Sequence, residues 1–271
     1  TGDEVSDSSL SDTTVLMDRN RTITATFAQN SYALVVSGGS GGSASGGGNF
    51  SHGELAPIEA IPLEGYFFTA WSGRGITNSS APVTTVLMDQ NRSVAASFSQ
   101  IPYSLLVSSG DGGSASGGGV FYHGELAPIE AVPVEGYVFT GWSGLGVTHS
   151  NAPVTTVLMD QNRSVTSTFS QNAYSLQVLA GFGGSASGEG NFSHGTLASI
   201  SAFPDTGYSF NGWTGEGIDE NSSVSTTVLI DQPKTVSATF SLNSYPLSLE
   251  AGVGGSASGE GNFSYGSVAP I

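Results

Sequence analysis

The feature that most constrains this chain is a repeat of constant length. Trp71, Trp142 and Trp213 stand 71 residues apart, and the same step relates Phe27, Phe98, Phe169 and Phe240. It also relates Tyr32, Tyr103, Tyr174 and Tyr245, and the Gly-Gly-Ser-Ala-Ser-Gly runs that begin at Gly41, Gly112, Gly183 and Gly254. No insertion or deletion breaks the register, so the fold must close within one repeat and then recur. The chain of 271 residues divides accordingly. Residues 31–101, 102–172 and 173–243 are full repeats. Residues 1–30 are the C-terminal part of a truncated repeat, and residues 244–271 the N-terminal part of another. Thr1 aligns with Ser72 and Ile271 with Ile200, so the chain reads as an excerpt of a longer array.

Within a repeat the pattern is all-β. Thr, Val, Tyr and Phe recur in short clusters broken by Gly, Asn and Asp, and no apolar stripe at helical spacing runs for three turns. In the second full repeat, Tyr103–Val107 alternates and ends at a glycine-rich turn. A second strand is expected over Ser114–Tyr122, a third over Leu126–Val132, and a fourth over Tyr137–Trp142. A polar loop, Ser143–Pro153, follows. The repeat then closes with an expected hairpin in which Thr155–Met159 and Ser164–Phe169 flank Asp160-Gln161-Asn162-Arg163. Val165, Ser167 and Phe169 share one face of that last strand, the two-residue period of a half-buried strand.

So small a unit buries a modest core, and large aromatics should dominate it. The expected core residues are Tyr66, Phe68, Trp71 and Phe98 in the first full repeat. Tyr137, Phe139, Trp142 and Phe169 are their counterparts in the second, and Tyr208, Phe210, Trp213 and Phe240 in the third.

Four blocks of the second repeat carry a resemblance: Gly-Gly-Ser-Ala-Ser-Gly from Gly112, His-Gly-Glu-Leu-Ala from His123, Glu-Gly-Tyr-Val-Phe-Thr-Gly-Trp-Ser-Gly from Glu135, and Thr-Val-Leu-Met-Asp-Gln-Asn-Arg-Ser-Val-Thr-Ser-Thr-Phe from Thr156. Together they resemble the divergent internalin-B-type repeat of bacterial surface and secreted proteins. The departures are small: Ala70 stands where the later repeats have Gly, and Ile230 where the earlier ones have Met. The resemblance implies extracellular tandem modules serving as stalks, spacers or adhesive units. It brings no catalytic residues, and it implies a grasp-like β module with room for a short helical turn in the polar loop.

Charge narrows the partners. Six Lys and Arg stand against 22 Asp and Glu, a formal net charge of −16. No basic patch can be assembled to displace counterions from nucleic acid, and an anionic membrane surface is disfavoured for the same reason. No run of 18 apolar residues suggests membrane insertion. The absence of cysteine removes disulfides and thiolate metal sites.

Each candidate site meets a plainer explanation. The Gly-Gly-Ser-Ala-Ser-Gly runs lack the Lys and the following helix of a phosphate loop, and are expected to form tight turns or bulged hairpins. His52, His123 and His194 recur once per repeat with Tyr265 at the fourth position, which suits a hydrogen-bonding strand-end residue rather than a catalytic base or metal ligand. Asp89-Gln90-Asn91-Arg92 and Asp160-Gln161-Asn162-Arg163 offer one carboxylate beside an arginine, too little for calcium, and are expected to form an Asx turn. Glu54, Glu59 and Glu64, with Glu125, Glu130 and Glu135, could be imagined as a glycosidase pair. The third repeat has Thr196, Ser201 and Asp205 there, so solvated strand edges are the expectation. Tyr66, Phe67, Phe68 and Trp71 could form a sugar platform, but position 67 becomes Val138 and Ser209 and is expected to face solvent. The Asn-x-Ser triplets at Asn49, Asn91, Asn162, Asn191 and Asn262 arise readily by chance.

The sequence therefore points to a non-enzymatic, cofactor-free, extended rod-like array of small β domains. Its expected setting is a bacterial adhesin-like protein, and its expected partners are neighbouring repeats, with other copies in a fibre as a further association. The competing expectation is a multivalent module for a carbohydrate or protein surface.

Overall fold

The computed structural model describes residues 5–271, and no helix occurs among them. The first full repeat contains β1 (Ser31–Gly38), β2 (Gly42–Ser45), β3 (Gly48–Ser51), β4 (Glu54–Pro62), β5 (Tyr66–Gly73), β6 (Val83–Met88) and β7 (Arg92–Gln100). The second contains β8 (Pro102–Ser109), β9 (Gly113–Ser116), β10 (Gly119–Tyr122), β11 (Glu125–Pro133), β12 (Tyr137–Ser143), β13 (Val154–Met159) and β14 (Arg163–Gln171). The third contains β15 (Ala173–Ala180), β16 (Gly184–Ser187), β17 (Gly190–Ser193), β18 (Thr196–Pro204), β19 (Tyr208–Thr214), β20 (Ser225–Ile230) and β21 (Lys234–Leu242). β22 (Ser244–Leu247) and β23 (Gly261–Ser264) follow. The described residues divide into two compact units, one of residues 5–104, 120–125 and 159–161, the other of residues 105–119, 126–158 and 162–271. The first repeat lies in one unit and the third in the other.

A repeat is two sheets around one core. In the first, a four-stranded sheet has the order β3-β1-β7-β5 and a three-stranded sheet the order β2-β4-β6. The third repeat has the same orders, β17-β15-β21-β19 and β16-β18-β20. All pairings are antiparallel except one: β1 runs parallel to β7, Leu34 opposite Arg92, and β15 runs parallel to β21, Leu176 opposite Lys234. In the second repeat β8 pairs in parallel with β14, Leu105 opposite Arg163.

Two expected elements are corrected. The long second strand is two strands. β2 pairs with β4 in one sheet and β3 with β1 in the other, so Gly46 and Gly47 hand the chain across the core. The closing hairpin is an arch. β6 pairs with β4, whereas β7 pairs with β1 and β5, so the two strands lie in opposite sheets and share no ladder. Their apolar residues meet across the core instead: Val86 and Met88 from β6 and Val94 and Ala96 from β7 are buried in one cluster. The polar loop is ordered strap, not helical turn. Ile76 bridges Val86, Thr77 N donates to Thr85 O, and Leu87 N donates to Gly75 O, which covers the outer edge of β6.

The three tryptophans are buried, Trp71 in one cluster with Leu34, Ile58 and Met88, and Trp213 in another with Leu176, Ile200 and Ile230. Each indole NH is satisfied by a strap carbonyl, Trp71 Nε1 by Ala81 O at 3.1 Å, Trp142 by Ala152 O at 3.1 Å and Trp213 by Ser223 O at 3.0 Å. Phe68, Phe98, Phe210 and Phe240 are half-buried and pack against these clusters from the side. Phe139 and Phe169 are half-buried in the second repeat and meet edge to face at 5.9 Å. Tyr66, Tyr137 and Tyr208 are also half-buried, lying against Gly41, Gly112 and Gly183. The bulkiest fully enclosed side chains are aliphatic: Met88, Ile129, Met159, Ile200 and Ile230.

Candidate functional site

Each candidate motif has a definite place in this fold. The Gly-Gly-Ser-Ala-Ser-Gly runs are a turn, a short strand and a second turn. Gly42–Ser45 pairs with Glu59–Pro62, so these amides belong to a ladder and do not form an anion cradle.

The acidic motif is a staple at the arch. Arg92 Nη2 donates to Asp89 Oδ1 at 2.6 Å and Arg92 Nε to Leu87 O at 2.7 Å. Arg163 Nε donates equivalently to Leu158 O at 2.8 Å. In the third repeat Lys234 takes the position, its Nζ 2.9 Å from Asp231, and its ammonium holds that carboxyl below the ordinary aspartate range. Asn91 Oδ1 accepts from Ala33 N at 2.9 Å, tying the arch to β1. The expected Asx turn is thereby replaced: the carboxylate serves a nearly buried cation, whose charge needs a partner once it leaves water. Arg21, Arg92, Arg163 and Lys234 all occupy this repeat position, four of the six basic residues.

The glutamates separate into different tasks. Glu54 Oε2 accepts from Ser51 N at 2.9 Å and Glu125 Oε2 from Tyr122 N at 2.8 Å, closing the turn before β4 and β11. Glu59 stands exposed on β4 between Ser45 and Val83. Glu64 lies 3.7 Å from His123 of the next repeat. Glu54 and Glu64 thus serve backbone and seam. Among the described residues no group of three or more His, Asp or Glu could hold a metal ion, and no helix is long and apolar enough to cross a membrane.

The recurrent histidines mark a feature that sequence reasoning missed. Consecutive repeats are joined by one residue: Ile101 stands between β7 and β8, Asn172 between β14 and β15, Asn243 between β21 and β22. That residue bonds both ways. Ile101 N donates to Gly65 O at 2.8 Å, and its carbonyl accepts from His123 N at 3.0 Å. Asn172 N donates to Gly136 O and Asn172 O accepts from His194 N, both at 2.8 Å; the amide and carbonyl of Asn243 do the same with Gly207 and Tyr265, again at 2.8 Å. The imidazoles are not the side-chain hydrogen-bonding groups expected at a strand end. The Nδ1 atoms of His123 and His194 are buried without a partner, and the rings lie against Tyr103 and Tyr174 with centroids 6.1 Å apart in each case. The signal that could have found this seam was positional: a ring every 71 residues, of which His123, His194 and Tyr265 each stand 58 residues after the glycine of a Glu-Gly or Thr-Gly pair.

Fold and seam define a tandem array of small two-sheet β repeats. The chain belongs to the divergent InlB B-repeat family, whose pattern matches residues 32–102, 103–173 and 174–244 in unbroken succession. No curated protein matches the sequence.

Proposed function

We propose that this chain is a structural repeat region of a large bacterial surface or secreted adhesin-like protein, extracellular and non-enzymatic, acting as a stalk, spacer or fibre segment. The observation that carries the reading is the seam. The same two backbone bonds join one repeat to the next through a single residue at each of three junctions. Constant geometry at a constant step extends a chain by a fixed increment per copy. An anionic surface whose cations are mostly tied up at the arches keeps such an array soluble and away from nucleic acid and membranes. Its partners on this reading are neighbouring repeats and other copies in a fibre. Small-angle scattering on the whole chain tests it. A compact globule of this length has a radius of gyration of about 18 Å. The spacer reading expects a value well above that; a value at that level overturns it.

A second reading has one observation in its favour. Phe182 in the third repeat is 88% exposed on a turn, meeting Tyr208 edge to face at 5.7 Å, where the other repeats have Ser40 and Asp111. Such a pair suits the apolar face of a sugar or a partner protein. Saturable glycan binding abolished by Phe182→Ala is the outcome that would favour it.

A further inference from the structure

We infer that the ring at positions 123, 194 and 265 and the glycine at positions 65, 136 and 207 are two halves of one docking surface, and that its partner is another repeat of the same kind. The inference rests on the spacer reading and says how that spacer is held together.

The glycine half has no room for a side chain. A Cβ on Gly65 would lie 2.5 Å from His123 Cδ2, one on Gly136 2.2 Å from His194 Cδ2, and one on Gly207 2.1 Å from Tyr265 Cδ1. Contacts under 3 Å are excluded, so the following repeat's ring sits directly on the Cα. These glycines also have φ of +79°, +80° and +86°, which L side chains rarely adopt. Their own turn thus already favours Gly. The ring is a second, independent requirement imposed from the next repeat.

The ring half accepts a flat group and not a particular hydrogen bond. Tyr265 replaces His at the third junction and keeps both backbone bonds. The buried Nδ1 of His123 and His194 has no partner to lose. His52 supplies the contrast. Its amide bonds Asn30 O as its counterparts bond Ile101 and Asn172, yet its side chain is exposed, whereas His123 and His194 are partly buried. The turns of Gly65 and Gly136 lie over the rings of His123 and His194, whereas Tyr265 lies against Gly207 and remains 47% exposed. Flat rings on a bare Cα exclude water from the two hydrogen bonds beside them, which strengthens those bonds.

The test is amide hydrogen exchange on the full chain in three forms. In the parent, the amides of Asn172 and His194 are protected. His194→Ala leaves Gly136 and its turn untouched, so it isolates the ring; it is expected to speed exchange at these two amides by about tenfold or more, with Ile101 and His123 unchanged. His194→Tyr, copying the third junction, is expected to restore protection to within about threefold of the parent. Unchanged exchange in His194→Ala overturns the inference, as does a His194→Tyr variant as fast as His194→Ala. The readout is local. Its failure beside an extended scattering profile would leave the spacer reading standing, and a compact profile beside protected seam amides would remove the spacer reading alone.

Discussion

Gly183 is fixed from two directions. Its φ is +98°, and a Cβ there would lie 2.2 Å from the ring of Tyr208, which closes over the turn. Gly183→Ala therefore combines backbone strain with displacement of the ring. It should lower the stability of the third repeat by about 2–4 kcal/mol, whereas Ser185→Ala, on an exposed position of β16, should stay within about 0.5 kcal/mol. Urea unfolding followed by tryptophan fluorescence measures both. The glycine-rich run was legible as a turn from composition alone. That a tyrosine 25 positions downstream roofs it was not, because nothing local to Gly183 names its neighbour. The tryptophans were legible as core from their size, but not the way they enter it. Tyr66 and Phe68 share a parity and Trp71 has the other, so alternation alone sends the indole outward. The ladder slips between Phe68 and Ala70, and the bulge turns Trp71 in. Phe67, by contrast, faces solvent as its replacement by Val138 and Ser209 suggested.

Among elements, the arch was one of two misread. Two alternating segments around a short polar joint look like a hairpin, since a hairpin and an arch have the same local pattern. Only the long-range partners, β4 for one arm and β1 and β5 for the other, distinguish them. Once the arms lie in opposite sheets, the joint must span the end of the core, and Arg92 fills that end. Arg92→Ala should destabilise the first repeat by roughly 1.5–3 kcal/mol, the range for losing hydrogen bonds to a charged group. Arg92→Lys should cost less than about 1 kcal/mol, because Lys234 makes the corresponding pair in the third repeat. Comparative urea melts of the two variants check the order; equal losses would show that the ammonium cannot replace the guanidinium here.

At the level of the molecule, the all-β class and the 71-residue step were readable because each residue type in the pattern recurs in every copy, whereas the seam was not. Its bonds run between turns of neighbouring copies, and the joining residue itself varies from Ile101 to Asn172 and Asn243. In arrays of this kind stability is local plus nearest-neighbour, with each repeat tied to the next at the seam. Trp142→Ala is the most direct test, read by site-resolved hydrogen exchange over the whole chain. Losing a buried tryptophan costs about 3–5 kcal/mol, comparable to the stability of so small a unit. Protection is expected to collapse through residues 102–172 and at its seam amides, while β1–β7 and β15–β21 keep theirs. Collapse across all three repeats together, or no collapse in the second, would contradict it.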